Sequence, residues 1–289
     1  MRAHVVDGTY ELFRSFFGAP AATHDGREVG ATRGILRSFA AWLRSGQVTH
    51  CGVAFDHVIE SFRNELFDGY KTGEGVEPAL MSQFELAERA AAALGLVVWP
   101  MIEFEADDAI ATAAAALGGD PRVEQVVITS PDKDMAQCVR GARVICFDRM
   151  RGTTMDEDGV IAKFGVAPAS IPDWLALVGD DADGIPGVPK WGARSASTVL
   201  ARWRRVEDIP ADPARWEVSV RGAASLAASL AEHRGVVGLY KKLATLREDA
   251  PIPCDLETLA WRGVDGPALD ALCDEIGLDR SLVDLPIAR

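Results

Sequence analysis

Short apolar runs alternate with stretches of helical spacing through the first half of the chain. Ala3-His4-Val5-Val6 reads as a buried strand that ends at Asp7-Gly8, and Tyr10 to Phe17 then carries apolar residues at helical intervals. Gly34 to Leu43 predicts an amphipathic helix, Cys51-Gly52-Val53-Ala54-Phe55 a second buried strand ending in Asp56, and Met81 to Leu94 another helix. Leu96-Val97-Val98-Trp99 is strand-like, an alanine-rich helix covers about 105 to 117, and Gln125-Val126-Val127-Ile128-Thr129 is a further apolar strand. Buried strands alternating with helices predict an α/β domain around a mostly parallel sheet. After Arg143-Val144-Ile145-Cys146-Phe147 the strand signal fades. Helices are then expected over Ser170 to Val178, Ala193 to Trp203, Gly222 to Glu232, Gly235 to Leu243 and Pro267 to Ile276. The pattern divides the chain into an α/β core, 1–168, and a helical region, 169–289.

Acids punctuate this pattern. Asp7, Asp56 and Asp132 each follow the C-terminal end of an apolar strand directly or within three residues, and in a parallel sheet that edge is where ligands bind. Any one of them is equally well a turn former. Glu105, Asp107 and Asp108 crowd the first turn of the alanine-rich helix, where acids commonly satisfy free N–H groups and complement the helix dipole. Three together repel each other unless a cation compensates, and oxygen-rich clusters suit Mg²⁺ or Mn²⁺. With three strand ends and one cluster, convergence on a metal site is the better reading.

A net charge of −13 would normally argue against a nucleic-acid partner. The charge is uneven, however. Between Gly184 and Arg247 stand 11 Lys and Arg against 5 Asp and Glu, a local +6 that leaves −19 for the remainder. Within this region Gly192 opens a predicted helix with Lys190 and Arg194 beside it, offering backbone N–H groups and two positive charges to a phosphate. An ordinary helix-turn-helix corner has the same glycine spacing. The five dispersed cysteines form no zinc spacing and read as reduced core residues. An acid already at Asp7 and the lack of a bilayer-length apolar stretch predict a cytoplasmic protein, not a membrane one. Val5 stands where a haloacid-dehalogenase nucleophile would be needed, Gly179 and Lys190 occupy the ends of an otherwise EF-hand-like spacing, and no phosphate-loop or G-x-S-x-G motif occurs.

Six motifs in order resemble those of the 5′ nuclease and flap endonuclease family, which includes the N-terminal exonuclease domain of bacterial DNA polymerase I. Asp7-Gly8 with Arg14 and Phe16-Phe17 resembles its opening pattern, Val53-Ala54-Phe55-Asp56 its second strand, and Phe62-Arg63 with Tyr70-Lys71 its basic arch. Glu105-Ala106-Asp107-Asp108 matches E-A-D-D, and Asp132-Lys133-Asp134 matches the D-x-D after the third strand. Gly179-Asp180 and Asp183, leading into Ile185-Pro186-Gly187-Val188, resemble the opening of a helix-three-turn-helix.

The resemblance implies a PIN-like nuclease core with a helical arch at about 57–80, then a helical DNA-binding region with a helix-three-turn-helix at about 179–203. It implies a 5′-3′ exonuclease and flap endonuclease of replication and repair, acting on DNA 5′ ends and flaps without sequence preference; with the sequence ending at Arg289, a stand-alone monomer is the expectation. Asp7, Asp56, Glu105, Asp107, Asp108, Asp132, Asp134, Asp180 and Asp183 would form the metal site, for two or more Mg²⁺ or Mn²⁺ ions. Two such ions roughly 4 Å apart activate water and stabilise the leaving oxygen. Arg63 and Lys71 would neutralise the scissile phosphate, and Gly187, Lys190, Gly192 and Arg194 would grip the duplex, with a K⁺ ion at the hairpin as a further expectation. The sequence departs from the family pattern at Glu74, where a basic residue is usual, and at Lys190, which replaces a glycine of the hairpin turn. Two rivals stand beside this reading. One is a catalytically silent DNA-structure-binding protein of the same fold; the other, a metal-dependent RNase of the smaller α/β class, would lack the long helical half.

Overall fold

A computed structural model describes residues 1–288. Strand β1 (Arg2–Asp7) runs into helix α1 (Gly8–Gly18) with no intervening loop. This junction needs a glycine: a Cβ on Gly8 would lie 2.6–2.7 Å from the Phe55 ring and the Ala54 carbonyl. A short antiparallel pair, β2 (Thr23–His24) and β3 (Arg27–Glu28), precedes α2 (Gly30–Arg44). Then come β4 (Cys51–Asp56), α3 (Phe62–Leu66), α4 (Pro78–Met81), α5 (Phe84–Ala93), β5 (Val97–Met101), α6 (Ala106–Gly119) and β6 (Gln125–Thr129). The second half holds β7 (Val144–Asp148), β8 (Thr153–Met155), α7 (Glu157–Phe164), α8 (Ile171–Val178), α9 (Ala193–Trp203), α10 (Ala223–Ala244), α11 (Leu256–Leu259) and α12 (Gly266–Ile276).

Three differences from the sequence pattern stand out. The arch region, 57–80, contains the five-residue α3 and the start of α4, with turns and loop between them. The two helices expected over Gly222–Glu232 and Gly235–Leu243 are one continuous helix of 22 residues. The β2–β3 pair, β8 and α7 were not expected. Among the described residues no single helix is long and apolar enough to cross a membrane.

The chain forms two compact units that interlace in sequence. The first comprises Met1–Ile59, Gly73–Ser130 and the chain from Glu248 onward; the second comprises Glu60–Thr72 and Pro131–Arg247. In the first unit four parallel strands lie in the order β5-β4-β1-β6. Asp7 pairs with Ala54 in register, and Asp56 pairs with Met101, so both acids fall at the carboxyl edge of the sheet. Leu12, Ile35, Phe39, Phe55, Leu86 and Leu94 are buried in the core on α1, α2, β4 and α5, and Leu269, Leu272 and Ile276 of α12 join them. That contribution ties the end of the chain to the first unit. The small side chains of Ala109, Ala111, Ala113 and Ala114 are all buried, which lets α6 pack closely on β1 and β4.

The second unit holds the antiparallel β7–β8 pair and helices α3 and α7 to α10. Helix α10 ends at Ala244, where the last carbonyls have no donor within the helix. Arg63, from α3, supplies donors: its Nε lies 2.8 Å from the Leu243 carbonyl oxygen, and a terminal guanidinium nitrogen lies 3.2 Å from that of Thr245. Its guanidinium also lies 4.7 Å from the Phe62 ring centroid, and the residue is only 1% exposed. The expected position of Arg63 over a scissile phosphate is therefore corrected. It is a buried cap on the end of α10, where positive charge also complements the helix dipole. Replacing Arg63 with Met strands two carbonyls and should destabilise the protein by about 3 kcal/mol, read as a lower urea midpoint.

Candidate active site

In the first unit, the carboxyl edge of the sheet carries acids that also organise the backbone. Asp7 caps α1: one carboxylate oxygen accepts the Tyr10 N–H at 2.8 Å, and the other accepts the Ser130 hydroxyl at 3.0 Å. Asp56 accepts the Ala106 N–H at 2.8 Å, which joins the end of β4 to the first turn of α6. Asp108, fully buried, accepts the Glu105 N–H at 3.1 Å. Glu105 is buried and Asp107 half-buried on that same turn. The capping role weighed for the acids of the alanine-rich helix is thus real for Asp108, while Asp7 and Asp56, read as turn formers, also bind helix-start N–H groups.

The second unit carries Asp132, Asp134, Asp180 and Asp183. Asp132 is exposed and accepts the Asp134 N–H at 2.8 Å, which starts a 3₁₀ turn over Asp134–Cys138. Asp180 and Ile185 exchange two backbone hydrogen bonds, 2.7 and 2.8 Å, closing a loop that carries Asp183. Gly184 in that loop has φ +72°, and a Cβ there would come 2.1 Å from the Gly69 carbonyl oxygen. The close approach brings in the 60–72 segment: the Lys71 N–H donates to the Asp183 carbonyl at 3.1 Å, and the Lys71 ammonium lies 3.0 Å from the Asp183 carboxylate. Ligand oxygens of Asp134, Asp180 and Asp183 consequently lie within 4.8 Å of one another.

These three carboxylates are not equally compensated. Asp180 is held by the Lys133 ammonium at 2.7 Å and by the Ala182 N–H at 3.1 Å. Asp134 is 4% exposed, and its Oδ1 is buried with no hydrogen-bond partner. Burial pushes its carboxyl well above the ordinary range, and Asp132, Asp183 and Asp180 push it further; Lys133 opposes them. Burial favours the neutral form of Lys133, but Asp180, Asp134 and Asp132 outweigh it and hold the ammonium's pKa up. A buried, unpartnered carboxylate oxygen beside two more carboxylates suits a hard divalent cation with all-oxygen ligation. The fit rests on Asp134, Asp180 and Asp183.

Beyond the loop, the hairpin continues with Gly187 buried and the Val188 N–H bonded to the Leu177 carbonyl. Lys190 has φ +72°, the left-handed conformation suited to the glycine it replaces. Gly192 caps α9 with its N–H on the Ser195 hydroxyl. A cavity of about 630 Å³ opens here, lined among others by Lys190, Gly192, Arg194, Ser219 and Arg221. The cations bordering it therefore include two expected from the hairpin and one, Arg221, that was not.

A parallel sheet ending in carboxylates, with a second unit that carries a clustered acidic trio and a cationic hairpin, defines an α/β protein with carboxylates placed for cations and cations placed for phosphate. Two family descriptions match the chain in succession: 5′-3′ exonuclease, N-terminal resolvase-like domain, over residues 2–165, and 5′-3′ exonuclease, C-terminal SAM fold, over residues 166–267. The chain belongs to the 5′-3′ exonuclease family. The DNA polymerase I of Pseudomonas aeruginosa is 35% identical over 291 residues, which cover 97% of this chain and 31% of that protein. The chain thus spans about a third of the polymerase relatives it matches. A 5′-3′ exonuclease of Aquifex aeolicus is 32% identical over 208 residues, 71% of each chain. Among solved structures, the T5 5′-exonuclease with bound divalent zinc superposes with a TM-score of 0.67 at 20% identity, covering 98% of this chain and 100% of that one. The catalytic core of Rad2 in complex with a DNA substrate gives 0.60 at 16%, covering 98% and 89%. At these identities the structural likeness establishes the fold.

Sequence reasoning did not single out Lys133, Ser130 or Arg221. Lys133 was legible in principle, since it stands between two acids of a recognised motif. Ser130 and Arg221 act across long stretches of chain or from an irregular loop, with no local signal.

Two substitutions test this geometry. In EDTA, Asp134→Asn removes a repelling carboxyl, so the variant should melt a few degrees above the parent, a gain of roughly 1 kcal/mol. A raised folded pKa makes the ionised carboxyl unfavourable above that pKa, so the parent's deficit should shrink as pH is lowered through it. With Mn²⁺ present the parent should gain more thermal stability than the variant. Lys190→Gly relieves a left-handed lysine and should raise stability by about 1 kcal/mol in urea denaturation.

Proposed function

We propose that the chain is a divalent-metal-dependent phosphodiesterase acting on DNA 5′ ends and 5′ flaps, as exonuclease and flap endonuclease, leaving a 5′-phosphate and a 3′-hydroxyl. The observation that carries this reading is the buried Asp134 oxygen without a proton donor, in carboxylate contact range of Asp180 and Asp183. Asp134, Asp180 and Asp183, with Asp132 beside them, would hold Mg²⁺ or Mn²⁺ in the second unit, and Asp7, Asp56, Glu105, Asp107 and Asp108 are the candidate ligands of the first, several through water. Cations held by these residues would supply a water of lowered pKa and positive charge for the phosphate oxygens.

The protein's own groups do the rest. Lys71, whose ammonium lies at the edge of the trio, offers positive charge to the reacting phosphate. Lys190, Arg194 and Arg221 bind backbone phosphates, together with the N–H groups that open α9, and none of these contacts reads a base. Sequence-independent recognition of a DNA end follows. The relatives support this: a stand-alone 5′-3′ exonuclease is among them, and the Rad2 core binds a DNA substrate on the same fold. We further propose that the protein acts as a cytoplasmic monomer.

The test is cleavage of an end-labelled 5′-flap duplex, beside a blunt duplex and a flapped RNA, with Mg²⁺, Mn²⁺ or EDTA. Cutting at the flap junction that EDTA abolishes is expected, with Asp180→Asn reducing the rate on the order of a hundredfold or more while duplex binding persists. Binding without cutting under either metal would instead assign a silent DNA-structure-binding protein. Duplex affinity should fall steeply with salt, and Lys190→Gly should reduce the log–log slope by about one.

A further inference from the structure

Lys133 lies between Asp132 and Asp134 in sequence, yet its ammonium turns to a third acid, 2.7 Å from Oδ2 of Asp180. Asp180 is 4% exposed, and its other oxygen accepts the Ala182 N–H. A full positive charge therefore sits inside a cluster whose ligand oxygens lie within 4.8 Å of one another. On the opposite side, Lys71 does the same for Asp183 at 3.0 Å. The two lysines differ in one respect. Lys71 comes from the 60–72 segment, whereas Lys133 is covalently part of the acidic motif and cannot leave it.

We propose that Lys133 is an internal counter-cation: it holds Asp180 in the metal-free trio and must yield that carboxylate to a divalent ion, and so it weakens the trio's metal affinity. The inference rests on reading Asp134, Asp180 and Asp183 as metal ligands. Two effects act in the same direction. An ammonium beside the trio repels an incoming divalent cation, and its bond to Asp180 Oδ2 must be broken for that oxygen to ligate. Without Lys133, the metal-free trio would hold three crowded carboxylates with less compensation, so the empty state would be less stable and the loaded state more favoured. Asp180 would keep its orientation through the Ala182 N–H. Lys133 is thus a positioning residue that acts through Asp180.

The test is Mn²⁺ binding by the full chain, read by electron paramagnetic resonance of free Mn²⁺, for the parent, Lys133→Met, Lys133→Gln, Lys133→Arg and Asp134→Asn. The relevant site is the one that Asp134→Asn weakens. There, Lys133→Met and Lys133→Gln should bind Mn²⁺ on the order of tenfold more tightly than the parent, and Lys133→Arg should restore parental affinity. In EDTA the Met variant should melt below the parent, and with Mn²⁺ its melting temperature should rise by more than the parent's does. A lysine serving only as structural support would lower stability and leave Mn²⁺ affinity unchanged. Unchanged or weaker affinity in both uncharged variants, with Asp134→Asn still impaired, overturns the inference alone. If the parent binds no Mn²⁺, or Asp134→Asn binds it as well as the parent does, the metal reading of the trio falls as well.

Discussion

Three carboxylates cannot share so small and dry a space unless positive charge is brought to them, and the second unit is arranged around that requirement. Asp134, Asp180 and Asp183 come from two loops separated by more than forty residues of chain. Lysines from outside the 180–185 loop reach two of them: Lys133, next to Asp134, holds Asp180, and Lys71, from the 60–72 segment, holds Asp183. The 60–72 segment belongs to this unit although the chain on either side of it belongs to the other, and its backbone and side chain at Lys71 both engage Asp183. The bare glycine at 184 lets that segment come close enough. What the lysines leave uncompensated is Asp134, and the cation chemistry proposed for the unit rests on that residue.

In the first unit, an acid that serves structure keeps lone pairs for the chemistry proposed for it. A carboxylate has two oxygens and about four lone-pair directions. Asp56 gives one oxygen to the Ala106 N–H, and Asp108 accepts the Glu105 N–H; such bonds fix the carboxylates in place without exhausting them. Capping and metal-holding were competing explanations when the sequence was read, since each accounts for acids at a helix start. In the folded protein they cease to compete. A carboxylate pinned by a backbone N–H has already lost the rotamer freedom that a ligand must lose, so a cap is a pre-organised ligand.

Much of this was legible because it was local. The four parallel strands, their acidic ends, the alanine helix and the hairpin before α9 are read from periodicity and turn chemistry within about ten residues. The parts that were not legible depend on distant partners. Two helices were expected, Gly222 to Glu232 and Gly235 to Leu243, yet α10 runs through the gap between them and through Gly235 and Gly238, each of which costs about 1 kcal/mol in a helix interior and meets no neighbour. Arg63 was expected to clamp a phosphate because the family resemblance places it in a basic arch. Its partners, the carbonyls of Leu243 and Thr245, lie 180 residues away. A basic side chain announces only that it needs acceptors, and the end of a helix supplies them as readily as a nucleic acid does.

Lys190 shows how far a local departure can be pushed into an argument. Its position adopts a left-handed turn that glycine would occupy without strain, so the lysine carries a conformational cost of about 1 kcal/mol. The turn is held from both sides. Pro189 accepts a bond from the Ser229 hydroxyl, and Trp191, buried, donates its indole N–H to the Leu226 carbonyl. Strain that is over-determined in this way persists where the strained residue has a use. Here the residue borders a cavity with Arg194 and Arg221, inside the 184–247 stretch of an acidic chain, where positive charge is in excess. A protein of net charge −13 meets a polyanion only through such a concentrated surface. A glycine would make the hairpin easier to fold and leave that surface one charge poorer, and the sequence carries the lysine.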